Sequence, residues 1–171
     1  MITKTDIEKY FLAEKQAGIL LIGLAIITIL VALTCLLIIK SNTWKGIAVP
    51  FFVFAFIEAG VGYSIYKKTD SRRIDNVYAL DMNPGKLTST EIPRIEKVKQ
   101  QFIFILSIET LLFLAGVLMV VLFKSSPARQ LIYGIGIGLI IQSTIAFGFS
   151  WLANNRAKIY YQQLQTLIQK N

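Results

Sequence analysis

Four runs of about 20 residues, nearly free of charge, decide what this chain can fold into. Ala17–Ile39, Gly46–Tyr66, Phe102–Phe123 and Leu131–Ala153 are each long enough to cross a hydrocarbon layer roughly 30 Å thick at about 1.5 Å of helix rise per residue. The first and last carry no charge, the second holds only Glu58 and the third only Glu109. With 54% hydrophobic and 16% charged residues in a chain of 171, the composition is too apolar for a soluble fold of this size. The expectation is one all-α integral membrane domain: four transmembrane helices in an antiparallel bundle, with helical cytoplasmic extensions.

Charge orients the four spans. Of 18 lysines and arginines, only Lys40, Lys45, Lys124 and Arg129 lie in the two short hairpin loops. The others precede span one, follow span four or crowd between spans two and three. By the positive-inside rule both termini and the central loop face the cytoplasm of a plasma or inner membrane. Residues 1–16 mix both signs and lack a small-residue cleavage site, so they read as a retained segment rather than a signal peptide. The net charge of +8 is then a matter of topology, not of nucleic-acid binding. The basic cluster Lys67, Lys68, Arg72 and Arg73 enforces that topology or meets anionic headgroups. Trp44 and Trp151 read as interfacial anchors.

The polar segments are expected to be helical as well. In residues 1–16, Thr5 or Asp6 can cap a helix that places Ile7, Tyr10 and Phe11 on one face. Span two continues through Ile74, Val77 and Tyr78 and stops at the turn signal Asn83-Pro84-Gly85. A new helix starts near Ser89 or Thr90, with Glu91 and Pro93 in its first turn and Ile92, Ile95, Val98 and Phe102 as its stripe. After span four, Tyr160, Leu164, Leu167 and Ile168 recur at helical spacing. The halves also align weakly at a constant offset, Lys15-Gln16 with Lys99-Gln100 and Arg72 with Arg156, as a parallel duplication would.

Within the spans each helix carries one conspicuous polar residue. Glu58 and Glu109 lie roughly 10–12 Å inside the cytoplasmic boundary, with Thr28 and Gln142 slightly deeper. Small residues show where these groups point, because helices in lipid associate through faces that permit close approach. Gly134, Gly138, Gln142 and Ala146 recur every four residues. Gly62 shares a face with Glu58, Gly116 lies two turns from Glu109, and Thr28 falls on an alanine and glycine stripe. One bundle with a buried polar layer is expected. No basic residue stands at that depth, and two carboxylates in one site oppose double ionisation. Glu58 and Glu109 are thus expected to hold at least one proton at neutral pH, to share one, or to bind a cation. Intramembrane acids are functional candidates by default; clamping the bundle by hydrogen bonds to Gln142 or Thr28, contact with a partner helix and a proton or cation pathway all remain open.

Absences narrow the function. There is no histidine, and the one cysteine, Cys35, sits inside span one. That removes His-ligated haem, common zinc sites and His-based triads, so no cofactor, metal or catalytic set is expected. The run Phe56-Ile-Glu-Ala-Gly60 resembles the membrane glutamate of small multidrug-resistance transporters, which exchange protons for cations, but the rest of that family's pattern is missing. The layout is also similar to four-span glutathione- and eicosanoid-metabolising enzymes, whose basic substrate motifs within the spans do not occur here. The residues favour a non-enzymatic accessory, assembly or scaffold component that acts through helix contacts, self-associating or holding another membrane protein in the bilayer. The alternative is an oligomeric proton- or cation-linked transporter or channel using Glu58 and Glu109.

Overall fold

The computed structural model describes residues 2–39 and 41–168; Lys40 and Lys170, counted in the charge asymmetry, lie outside them. Four long helices dominate: α1 (Lys4–Leu37), α2 (Asn42–Met82), α4 (Ile92–Phe123) and α5 (Gln130–Gln165), with a single short turn of helix, α3 (Pro84–Lys86), between the halves. All four long helices are apolar and long enough to cross a membrane. Spans of 32 to 41 residues are roughly 48–60 Å long, so each helix continues well past its apolar run.

Local chemistry sets the ends. Thr3 caps α1: its hydroxyl accepts the Asp6 N–H at 3.2 Å, and the Asp6 carboxylate accepts the Thr3 N–H at 2.9 Å. This capping box moves the start ahead of Thr5, because Asp6 works from three residues inside the helix. The break after α2 is also smaller than its turn signal suggests. Asn83 alone leaves helical geometry, at φ −154° and ψ 75°, and Pro84 opens the next helix, where its missing N–H costs nothing. Leu87–Glu91 then form a π-helical turn that runs into α4, with Ile92 N–H donating to Leu87 O. Pro93 accounts for the widening: its ring would strike the carbonyl four residues back, and a π turn opens that space. The new helix therefore begins at Pro84 rather than at Ser89 or Thr90. The hydroxyls of Thr88 and Thr90 bond back to Gly85 O and Lys86 O, at 2.9 and 2.6 Å, instead of capping.

The helices pack as a row, α1 on α2, α2 on α5 and α5 on α4, and α4 makes no extensive contact with α1 or α2. Within each hairpin, residue numbers rise on one helix as they fall on the other: Gly18 meets Gly62 near one end of the first pair, and Ala32 and Cys35 cluster with Ile47 and Ala48 near the other. In the second pair Gly116 meets Gly136, and Glu109 meets Ser150. Between the hairpins the numbers rise together, since Gly46 meets Gly134 and Pro50 meets Gly138. The contacts are reciprocal about the Gly46–Gly134 crossing, with Thr43 O against Gly134 and Leu131 O against Gly46. A Cβ on either glycine would overlap the facing backbone, so only glycine permits this approach.

At the end where α1 begins and α5 finishes, the row closes into a side-chain core. Ile7 and Phe11 of α1, Ala79 of α2, Leu87, Ile92 and Ile95 of the π turn and α4, and Tyr160 and Leu164 of α5 are buried together. Elsewhere large apolar side chains face outward, among them Leu20, Ile27, Leu30, Phe104, Leu111 and Leu118.

Candidate functional site

The four polar residues singled out in the apolar runs are all buried, none more than 7% exposed: Thr28, Glu58, Glu109 and Gln142. The structure does not join them. Glu109 Oε1 accepts a hydrogen bond from Ser150 Oγ across α4 and α5 at 2.7 Å, and its Oε2 has no partner. Among the described residues both Glu58 oxygens and Gln142 Oε1 have none, so the carboxylates neither bond to each other nor are clamped by Gln142 or Thr28. The helices that carry them, α2 and α4, stand apart in the row.

Ser150 escaped the sequence pattern although it continues it. The four-residue recurrence Gly134, Gly138, Gln142 and Ala146 reaches Ser150 and Asn154 in two more steps. Each step of four advances the helix by about 40° beyond a full turn. Gly134 and Gly138 therefore face α2, whereas Ser150, four steps on from Gly134, faces α4. Ala146 is half-buried, while Gly62, Gly116, Gly134 and Gly138 all lie at close helix crossings. Of the basic cluster, Lys67 and Lys68 are exposed, and Arg72 and Arg73 are half-buried.

A second polar group, which the sequence pattern did not single out, lies in the side-chain core at the other end. Glu91, 4% exposed, grips Arg94 in a fork, accepting from Nε at 2.7 Å and from an Nη at 2.6 Å. Burial works against the Arg94 charge, but the Glu91 fork outweighs it and holds the guanidinium above its usual pKa. The guanidinium also sits 5.7 Å from the centre of the Phe11 ring. Tyr10 stacks on Tyr160 at 4.1 Å, 8° from parallel, and burial pushes both phenols up. Burial likewise pushes the Glu14 carboxyl up, opposed by Arg94, Arg72 and Arg156 and reinforced by Glu91. Nearby, Arg156 donates to Ala13 O at 3.2 Å, and Lys15 pairs with Asp70, whose carboxyl that bond holds below the usual range. Glu91 and Arg94, three apart across the π turn, could have been read as a local pair; their burial depends on how four helix ends meet, which no local pattern shows.

Among the described residues no group of three or more His, Cys, Asp or Glu side chains could hold a metal ion. Comparison with protein-family models, with curated proteins and with solved structures gives no match to this chain. Its function has to be argued from these residues alone.

Proposed function

We propose that this is an integral membrane protein, with both termini and the 67–101 segment cytoplasmic, that works as a non-enzymatic accessory, assembly or scaffold component. The antiparallel hairpins form the membrane part; the helix ends form a rigid cytoplasmic platform. The outward-facing stripe Ile74, Tyr78 and Met82 on α2, 62–69% exposed, carries the reading. It lies beyond the apolar run, on the part of α2 whose opposite face is anchored in the core through Ala79. Apolar side chains at i, i+4 and i+8 on a fixed helix in water suit a docked helix better than solvent. The test is co-purification of the full chain in mild detergent. A stoichiometric partner, or a second copy, that is lost with Tyr78→Asp while the chain stays folded supports the platform; an unchanged monomer with no partner defeats it.

One observation favours the transport reading: Glu58 is buried with both oxygens free of hydrogen bonds, a state that suits a site loaded with a proton or cation. Glu109 is not its neighbour, so such a site would rest on Glu58 alone, or on Glu58 of several copies. Proton-linked cation uptake in reconstituted vesicles, abolished by Glu58→Gln and kept by Glu109→Gln, would move the function there.

A further inference from the structure

Glu109 and Asn154 leave two matching ends untied in the seam between α4 and α5. Both residues are buried, and among the described residues neither Glu109 Oε2 nor Asn154 Oδ1 has a hydrogen-bond partner. Both atoms are acceptors. Ser150 puts them in one stretch of the seam: its hydroxyl donates to Glu109 Oε1 at 2.7 Å, and Asn154 lies one turn further along the same face of α5. A helical side chain leans toward the start of its own helix. Residue numbers fall on α5 as they rise on α4, so Glu109 leans toward the level of Asn154, and Asn154 toward that of Ser150. The hydroxyl protons nearby are already committed. Ser150 gives its own to Glu109, while Ser107 and Thr110 give theirs to Ile103 O and Leu106 O at 2.9 and 2.8 Å.

Two enclosed acceptors without a donor are costly twice over, and a single proton removes both costs. We propose that Glu109 and Asn154 form a proton-binding site, in which Glu109 Oε2 carries the proton and donates it to Asn154 Oδ1. The carboxyl is then neutral, with the Ser150 hydroxyl on one oxygen and the amide on the other. A groove of about 380 Å³ between α4 and α5 supplies the path of exchange with solvent: Asn154 stands in its wall with Leu106 and Ser107, and exposed Lys158 lines it one turn on. The charged groups nearest along both helices are cations. They are Lys158, Arg156, which donates to Ala13 O, and Lys99, 3.7 Å from the centre of the Tyr161 ring; none of them donates to Glu109 Oε2 or Asn154 Oδ1. Among the long helices α4 packs extensively only on α5. Removing the proton therefore sets a carboxylate against an amide oxygen in the one long contact that α4 has. The site goes beyond the platform reading and needs neither it nor Glu58.

The test is infrared difference spectroscopy of the full chain in phosphatidylcholine vesicles, titrated from roughly pH 5 to pH 10. A carbonyl band of a protonated carboxyl is expected at neutral pH and should be missing from Glu109→Gln. That variant should keep the fold, because its amide N–H can donate to Asn154 as the neutral acid does. In Asn154→Leu the band should move to higher wavenumber, since its O–H no longer donates, and the proton should be held about tenfold less tightly, the effect of one buried hydrogen bond. Lys158→Gln should leave the wavenumber where it is. Absence of a band that depends on Glu109 overturns the proposal whatever the other variants do. So does a band indifferent to Asn154→Leu, which would mean that the amide is not the acceptor, or one moved by Lys158→Gln, which would make the lysine the donor that the amide lacks. Loss of the band when sodium replaces choline at constant pH would assign the oxygens to a metal cation and overturn it equally.

Discussion

The two ends of this molecule are held together by different physics. At the end where the chain starts, four elements bury Phe11, Leu87, Ile95, Tyr160 and Leu164 in a core, tied by the Glu91–Arg94 fork and ion pairs such as Lys15 with Asp70. Along the apolar runs the helices meet backbone to backbone, at Gly18–Gly62, Gly46–Gly134 and Gly116–Gly136, and their large side chains point away. Burying leucine gains free energy only where the alternative is water; in lipid it gains almost none, and close approach takes over. On the membrane reading proposed above, each end is built for a different solvent.

The sharpest break of that contrast is a side chain at the glycine crossing. Gly134→Leu should destabilise the fold by more than about 3 kcal/mol, because the new Cβ meets the Thr43 carbonyl rather than a side chain that can move aside; thermal unfolding in detergent measures it. The same substitution at Gly148, which has nothing near it, should be harmless. At the other end Arg94→Met should cost about 3 kcal/mol by leaving Glu91 buried and unpaired, and the double change with Glu91→Met should recover most of it. A double variant as unstable as the single would mean that the fork, not its solitary charge, matters.

A pH experiment tests the same end more gently. The Glu14 carboxyl is pushed above its ordinary value, chiefly by burial, so the folded state holds that proton more tightly than the unfolded chain. This acid then favours folding at low pH, and its contribution falls as pH rises from the ordinary carboxylate value through the raised one. Glu14→Gln should stabilise by about 1 kcal/mol at neutral pH, roughly 2–4 °C in melting temperature. The gain should vanish below the ordinary carboxylate range. A melting difference independent of pH would place the effect in packing instead. The smallest effect expected is for Lys4→Ala, since the Lys4–Asp81 pair at 2.5 Å is half exposed on both sides and such pairs contribute about 0.5 kcal/mol or less.

How much of this the residues showed in advance follows the same division. The long apolar helices were legible, because composition and length announce them, and so was the end of α2 near Asn83. The start of the next helix was misjudged because Pro84 is both a turn former and a good first helical residue, and only Pro93 downstream reveals that the chain continues as a π turn. The polar residues Glu58, Glu109, Gln142 and Thr28 are buried, as their small neighbours suggested, but the two carboxylates do not share one hydrogen-bonded site. Burial is a property of one helix face, whereas sharing a site depends on which helices are neighbours. The row α1–α2–α5–α4 separates α2 from α4, and with them the carboxylates. Nothing local in the sequence specifies that order.

The pairing of α2 with α5 also has a consequence in time. The two halves of the Gly46–Gly134 crossing are made far apart during synthesis, and at about 5–20 residues per second roughly 4–18 s separate them. For that interval the first hairpin exists without the helix that covers Gly46, its narrow seam open to any other helix that arrives first. The glycines that let the finished protein close so tightly also make its first half, while it waits, the part most exposed to a wrong partner.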